Sequence, residues 1–440
     1  MSGPTPEEIE AGLTHKDWRV RAQWAKSTDW GPPTPEQIER GLTDLSEEVR
    51  AAWVWRRDYT PTSEQIERGL TDQSGWVRLL WTERLDYTPA PEQIERGLTD
   101  EDVRVREAWA ERLDYAPTSD QIERGLSDSS EWVRGAWAKR LNYTPTSEQI
   151  ERGLTDKSWW ARKAWAERPD YTPTPQQVKR GLTDEDVRVR KAWAARKDYK
   201  LSPEHIDIGL TDPDNEIRLV WARRLDYAPT PQQVERGLMD KDVWVRQAWA
   251  KRLDYTPMPE HIELGLNDPD EEIRLIWAKR FDYTPTSEHV ERGLSDESWC
   301  VRAAWAERRD YTPTPEQIER GLTDPLISDI WIERLDYTPT PEQIERGLTD
   351  PSSWIRQLWA KRPDYIPTPQ QIERGLTDEW PEVRSAWAKR LDYTPTPEQI
   401  ERGLADFFES VRQAWAERLK HMVQEVQDDL LDLDRPRAQG

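Results

Sequence analysis

The sequence predicts an all-α fold, a right-handed α-solenoid of about fifteen 28-residue two-helix repeats. Three observations predict it. A Gly-Leu pair recurs fifteen times, from Gly12, Gly41 and Gly69 to Gly403; twelve of the fourteen spacings are 28 residues, the first is 29, and Gly321 to Gly347 is 26. A Trp keeps the same register in every repeat, from Trp24 and Trp53 to Trp415. All 13 Tyr stand six residues after one of these Trp. Such a period is the mark of stacked supersecondary units and leaves no room for a separate domain. Residues 1–419 read as the array, and 420–440 as a C-terminal capping helix and tail.

Each repeat reads as two helices, A and B. In residues 91–115, Pro91 opens helix A with Glu-Gln-Ile-Glu-Arg behind it. Proline suits the first turn, where its missing N–H costs nothing. A Thr stands before this position in many repeats and can cap, as Thr314 does before Pro315, with Gln317 completing a capping box. Gly97 is expected to end helix A in the left-handed conformation. Thr99 and Asp100 offer oxygens to cap helix B, predicted over 101–113. Val105, Ala108, Trp109 and Leu113 then fall on one apolar stripe. Leu113-Asp114-Tyr115 leads into a proline-rich connector that cannot continue the helix.

One such pair cannot bury its own apolar face, but stacked neighbours can. An indole buries on the order of 200 Å², roughly 5 kcal/mol per repeat before entropy at about 25 cal/mol per Å². The 26 Trp therefore explain how a chain only 35% hydrophobic and 34% charged finds a core. The formal charge of −22 disfavours a nucleic-acid backbone as partner. A lone cysteine, Cys300, excludes an internal disulfide or a thiolate zinc site and reads as an ordinary thiol. No apolar stretch is long enough to span a membrane. The opening Met-Ser-Gly-Pro-Thr-Pro is unlike a signal peptide, so a soluble, cytoplasmic monomer is the expectation. Val423, Val426, Leu430 and Leu433 form a helical stripe, predicting a capping helix over 416–434 and a loose tail beyond it.

Asp100 followed six residues later by Arg106, with Val105 and Ala108 beside it, resembles the second helix of HEAT-like repeats. The fuller pattern of Thr-Pro, Leu-Thr-Asp, Val-Arg and Ala resembles the bacterial leucine-rich repeat variant family, over about residues 4–419. The chain differs from that family in its 28-residue period and in lacking the cysteine cluster of some members. The resemblance implies a binding scaffold.

Columns numbered from the repeat Trp separate constant from variable positions. Arg stands three residues before it in fourteen repeats, with Ser328 the exception, and three residues after it in fourteen, with Ser27 the exception. The Asp after Gly-Leu-Thr is also present in fourteen, with His15 the exception. Matched Arg and Asp columns read as an ion-pair ladder rather than a phosphate-binding stripe. Columns −5, −2 and +2 vary, share one helix face, and predict an exposed groove. There Trp76, Trp132, Trp160, Trp244 and Trp354, with Arg19, Arg104 and Arg188, are the candidate partner-binding residues. The same indoles could instead fold over the junctions between repeats.

No catalytic residue, cofactor site or metal site is expected. His205, His261 and His289 replace a Gln in helix A and read as polar surface substitutions. They are one or two repeats apart, and helices pack about 8–10 Å apart, far beyond metal-ligand reach. Phosphate loops, nucleophile elbows and His-Glu-x-x-His are absent from the sequence. The twelfth repeat is two residues short, which predicts a kink or weak interface, a hinge or a partner notch. The functional expectation is a non-catalytic protein or peptide scaffold whose partner carries basic patches. Two rivals remain: a HEAT-like nucleic-acid binder using exposed, unpaired arginines, as in HEAT-like DNA glycosylases, and an acidic nucleic-acid mimic that inhibits a DNA-binding protein.

Overall fold

The computed structural model describes residues 4–433, with side chains through residue 424. It is all-α, with thirty helices and no strand among the described residues. The chain falls into two compact units, residues 1–227 and 228–440, holding eight and seven repeats. Within each unit, helix B packs on its own helix A and on helix B of the next repeat.

Helix A begins as the sequence dictates. Before Pro315–Thr323, the Gln317 N–H donates to Thr314 Oγ1 (3.3 Å) and the Thr314 N–H to Gln317 Oε1 (3.0 Å). Where Ala90 replaces the Thr, only the Gln93 half of the box survives (2.9 Å).

The repeat glycine does not end the helix. Gly97 lies inside Pro91–Leu98, and among the described residues only Gly31 has a positive φ, of 84°. A Cβ on Gly97 would sit 2.0 Å from Trp109 Nε1, and the same clash, at 2.4 Å or less, recurs from Gly12 against Trp24 to Gly403 against Trp415. The glycine is there so that the indole can lie on the helix A backbone. Thr99 closes helix A, its Oγ1 donating to the Glu95 carbonyl (2.8 Å).

Helix B is shorter than expected, Val103–Glu111, and its N-cap is Asp102. Leu113 therefore lies beyond the helix and is 66% exposed, outside the apolar stripe. Fourteen repeat Trp are at most 2% exposed. Trp24, in the first of these repeats, is only half-buried, and Ser27 stands in its arginine column.

Two arginine columns join the repeats. Arg50 grips Asp72 of the next repeat with two bonds (2.7 and 2.8 Å) while Nη1 donates to the Asp44 carbonyl (2.7 Å). The second column is deeper. Arg84 is fully buried, and its Nη1 donates to the Val54 and Arg56 carbonyls of the previous repeat (3.1 and 3.0 Å). Its Nε bonds Asp86 (2.9 Å), and its guanidinium lies between the Tyr59 ring (4.9 Å) and the Trp81 ring (5.3 Å). Each Tyr is held in turn: Tyr59 Oη donates to the Trp53 carbonyl (3.1 Å). In the first repeat Trp30 replaces the Tyr and makes the same bond through Nε1 to the Trp24 carbonyl (3.0 Å).

His205, His261 and His289 are buried, contrary to the surface reading. Each imidazole takes over the Gln's capping role, Nδ1 accepting the N-cap N–H of Ser202 (3.3 Å), Met258 (3.2 Å) or Thr286 (3.2 Å). Each also packs edge-on against a repeat tyrosine, Tyr199, Tyr255 or Tyr283. In the twelfth repeat, helix B shrinks to Ser328–Glu333. At the C-terminus one continuous helix runs Glu409–Leu433 with Val423 exposed; the side chains of Val426, Leu430 and Leu433, and the expected tail, lie outside the described residues.

Candidate partner-binding surface

Helix B turns two of the three variable columns outward. Column −5 is exposed except at Trp160 and Cys300, and column +2 is exposed throughout. Column −2 is not part of that face: Gly135, Ala51 and Leu79 are buried, and most others are half-buried. The cause is packing between successive B helices, which sets residue −2 of one repeat under residue −5 of the next. Gly135 lies under Trp160, the Gln357 amide reaches the Glu382 carbonyl (3.5 Å), and the Ser385 hydroxyl the Ser410 carbonyl (3.4 Å).

That pairing decides which indoles stay free. Trp76, Trp132, Trp244 and Trp354 are 41%, 45%, 58% and 52% exposed. Trp160 is half-buried, because Gly135 beneath it has no side chain: a Cβ there would meet the indole at 2.3 Å. Trp160 thus folds over a junction, as the alternative reading allowed. It packs against Trp132 (5.5 Å between centroids) and Trp159 (5.6 Å), with the Lys139 ammonium 3.9 Å from its ring centroid.

The candidate arginines are exposed, and each is tied to the aspartate that caps its own helix. Arg104 makes two bonds to Asp102 (3.2 and 2.7 Å), Arg188 two to Asp186 (3.0 and 2.7 Å), and Arg19 pairs with Asp17 at 3.7 Å. Arg188 also stacks on Trp159. Trp132, Trp160, Trp159 and Arg188 thus form one strip across the fifth to seventh repeats. Trp159 escaped the sequence reading because it lies in column −6; Trp299 and Trp380, 51% and 49% exposed, also lie outside column −5.

A second feature breaks the helix A face. Leu264 replaces the usual Arg and Met239 the usual Thr, and an open groove of about 870 Å³ runs between Pro231–Leu238 and Pro259–Leu266. Both substitutions are visible in the sequence as departures from Glu-Arg-Gly-Leu-Thr. Among the described residues, no group of three or more His, Cys, Asp or Glu is placed to hold a metal, and no helix is long and apolar enough to cross a membrane.

A family profile described as "HEAT repeat associated with sister chromatid cohesion" matches residues 92–108 and 176–192. No curated protein matches the chain in sequence. Among solved structures, a leucine-rich repeat variant with a novel repetitive structural motif is 26% identical, covering 54% of this chain and 87% of its own, with a TM-score of 0.40. A chain of the Kap95p–RanGDP structure is 12% identical, covering 94% of this chain at a TM-score of 0.20; this chain spans 53% of its length. A structure of microtubule polymerases with tumor overexpressed gene domain arrays is 10% identical, covering 97% of both chains at a TM-score of 0.23. These overlaps are low, and the fold stands on the paired helices and their 28-residue recurrence. The chain is an α-solenoid built from HEAT-like repeats.

Proposed function

We propose that this chain is a non-catalytic scaffold that binds a protein or peptide on the outward face of its B helices. The observation that carries the reading is the set of large exposed indoles Trp76, Trp132, Trp244 and Trp354, standing in a column the repeat architecture does not need. Trp and Arg are the residues that dominate interface energetics. The net charge of −22 favours a partner with basic patches. Ladder arginines such as Arg50, Arg78 and Arg134 are buried and bonded to aspartates, which removes the unpaired basic stripe that nucleic-acid binding needs.

The test compares the full chain with a Trp76→Ala, Trp132→Ala, Trp244→Ala, Trp354→Ala variant in affinity capture and titration against whatever is captured. All four are exposed, and the repeat tryptophans that form the core are untouched, so the variant should keep its helical signal while affinity falls about tenfold or more. A folded variant that retains all partners at unchanged affinity refutes the reading.

A further inference from the structure

Within the second unit, the ladder lacks the rung between the twelfth and thirteenth repeats. At the tenth–eleventh, eleventh–twelfth and thirteenth–fourteenth junctions, a guanidinium from one repeat grips the aspartate of the next: Arg274 to Asp296 (2.7 Å), Arg302 to Asp324 (2.8 Å) and Arg356 to Asp378 (2.7 Å). Between the twelfth and thirteenth repeats the donor position is Ser328; Arg356 Nη1 donates to the Asp350 main-chain carbonyl (2.8 Å), but among the described residues no guanidinium bonds the Asp350 carboxylate. Its carboxylate accepts the Ser352 N–H (2.8 Å), the turn bond that its equivalents make as well as their ion pairs.

The space left behind can be measured against a filled one. Arg274, Arg292, Asp296 and Trp305 line a cavity of about 10 Å³, no more than the ~10–15 Å³ that admits one water. The equivalent residues Ser328, Arg346, Asp350 and Trp359 line a cleft of about 230 Å³. These four positions correspond between the two, and the larger cleft has Ser328 in place of the arginine; it also lies in the shortened repeat, and Thr323, Pro325 and Ile332 line it as well. Arg346 at the cleft is already bound to Glu319 by two bonds (2.6 and 3.0 Å), so it does not answer Asp350. Leu322, Ile332 and Ile355 supply apolar walls.

We propose that this cleft is a receptor for one guanidinium group, the side chain of an arginine on a protein partner. The planar fork of arginine matches a carboxylate in a way an ammonium cannot. An apolar wall suits its aliphatic stem. The fold itself demonstrates the fit at the neighbouring junctions. The inference does not depend on the exposed tryptophans, and it survives or fails separately from them.

The experiment titrates acetyl-arginine methylamide, and separately acetyl-lysine methylamide, into the full-length chain by calorimetry or ligand-observed NMR. Two variants accompany it. Ser328→Arg refills the cleft from within, and Asp350→Asn removes the anion while leaving the cavity. The expected result is saturable binding of the arginine analogue to the native chain, weakened about tenfold or more for the lysine analogue and lost in both variants. Ser328→Arg should also raise the unfolding midpoint, which shows that it is folded. Equal binding to the native chain and Ser328→Arg, equal binding of both analogues, or no binding to the native chain overturns the proposal. If Ser328→Arg does not fold, retained binding by Asp350→Asn overturns it equally.

Discussion

At the residue scale, the repeat glycine shows how one column can be constrained for a reason its residue type does not suggest. Glycine to alanine inside a helix ordinarily gains about 1 kcal/mol. Here the added methyl meets an indole that is itself locked in the core, 2.0 Å from Trp109 Nε1 in the case of Gly97. Gly97→Ala should therefore lose about 1–3 kcal/mol, as overpacked cores do; a midpoint in urea at or above that of the native chain would contradict the packing. The arginines divide in the same way. Arg84 is fully buried among carbonyls, an aspartate and two rings, so Arg84→Ala should cost about 3–5 kcal/mol by leaving those groups unpaired. Arg104 is exposed and bonded to its own capping residue, so Arg104→Ala should stay within about 1 kcal/mol of native. Thermal melts of the two variants side by side check both.

At the element scale, successive B helices set residue −2 beneath residue −5 of the next repeat. Gly135 is what lets Trp160 lie down. Gly135→Leu should push that indole outward and increase the accessibility of its ring, read as a red shift and stronger quenching of indole fluorescence. Unchanged quenching would mean the pair is not coupled. The twelfth repeat has a six-residue helix B, and Ser328 stands where the ladder arginine would meet the Asp350 carboxylate. Restoring the rung with Ser328→Arg should stabilise the chain by about 1–3 kcal/mol, the worth of a hydrogen bond to a charged group.

At the scale of the whole molecule, the regularity of the ladders makes titration collective. Glu291 is held at about 2, against 4.5 ordinarily, because Arg320 and then Gln317 bond its carboxylate. Glu319 and Glu373 are lowered in the same direction, first by Arg346 and Arg402. A folded value below the unfolded one stabilises fully above 4.5, and that contribution is lost as pH falls through about 2. The tyrosines act at the other limit: burial pushes Tyr59 and Tyr87 from 10.0 up to about 12. A folded value above the unfolded one stabilises fully below 10.0 and is lost as pH rises through about 12. Urea midpoints should thus form a plateau between these limits and fall on both sides. A midpoint that drops already between pH 6 and 8 would show that other groups control stability.

The period, the two helices of each repeat, the buried tryptophan and the matched arginine and aspartate columns were legible in the sequence, because each repeat meets the same packing problem and its answer recurs. What the letters could not carry was the identity of the neighbour. Gly97 reads as a helix end until Trp109 is seen lying on it, and His261 reads as a surface group until Met258 and Tyr255 are seen around it. Column −2 varies as a free face would, yet it packs beneath the following helix. These contacts join residues from three positions apart, as Met258 and His261, to twenty-five apart, as Gly135 and Trp160, and their geometry is set by helix spacings that only the folded chain establishes. Which exposed tryptophans stand free, and where a missing arginine leaves a cleft, were therefore settled by tertiary packing.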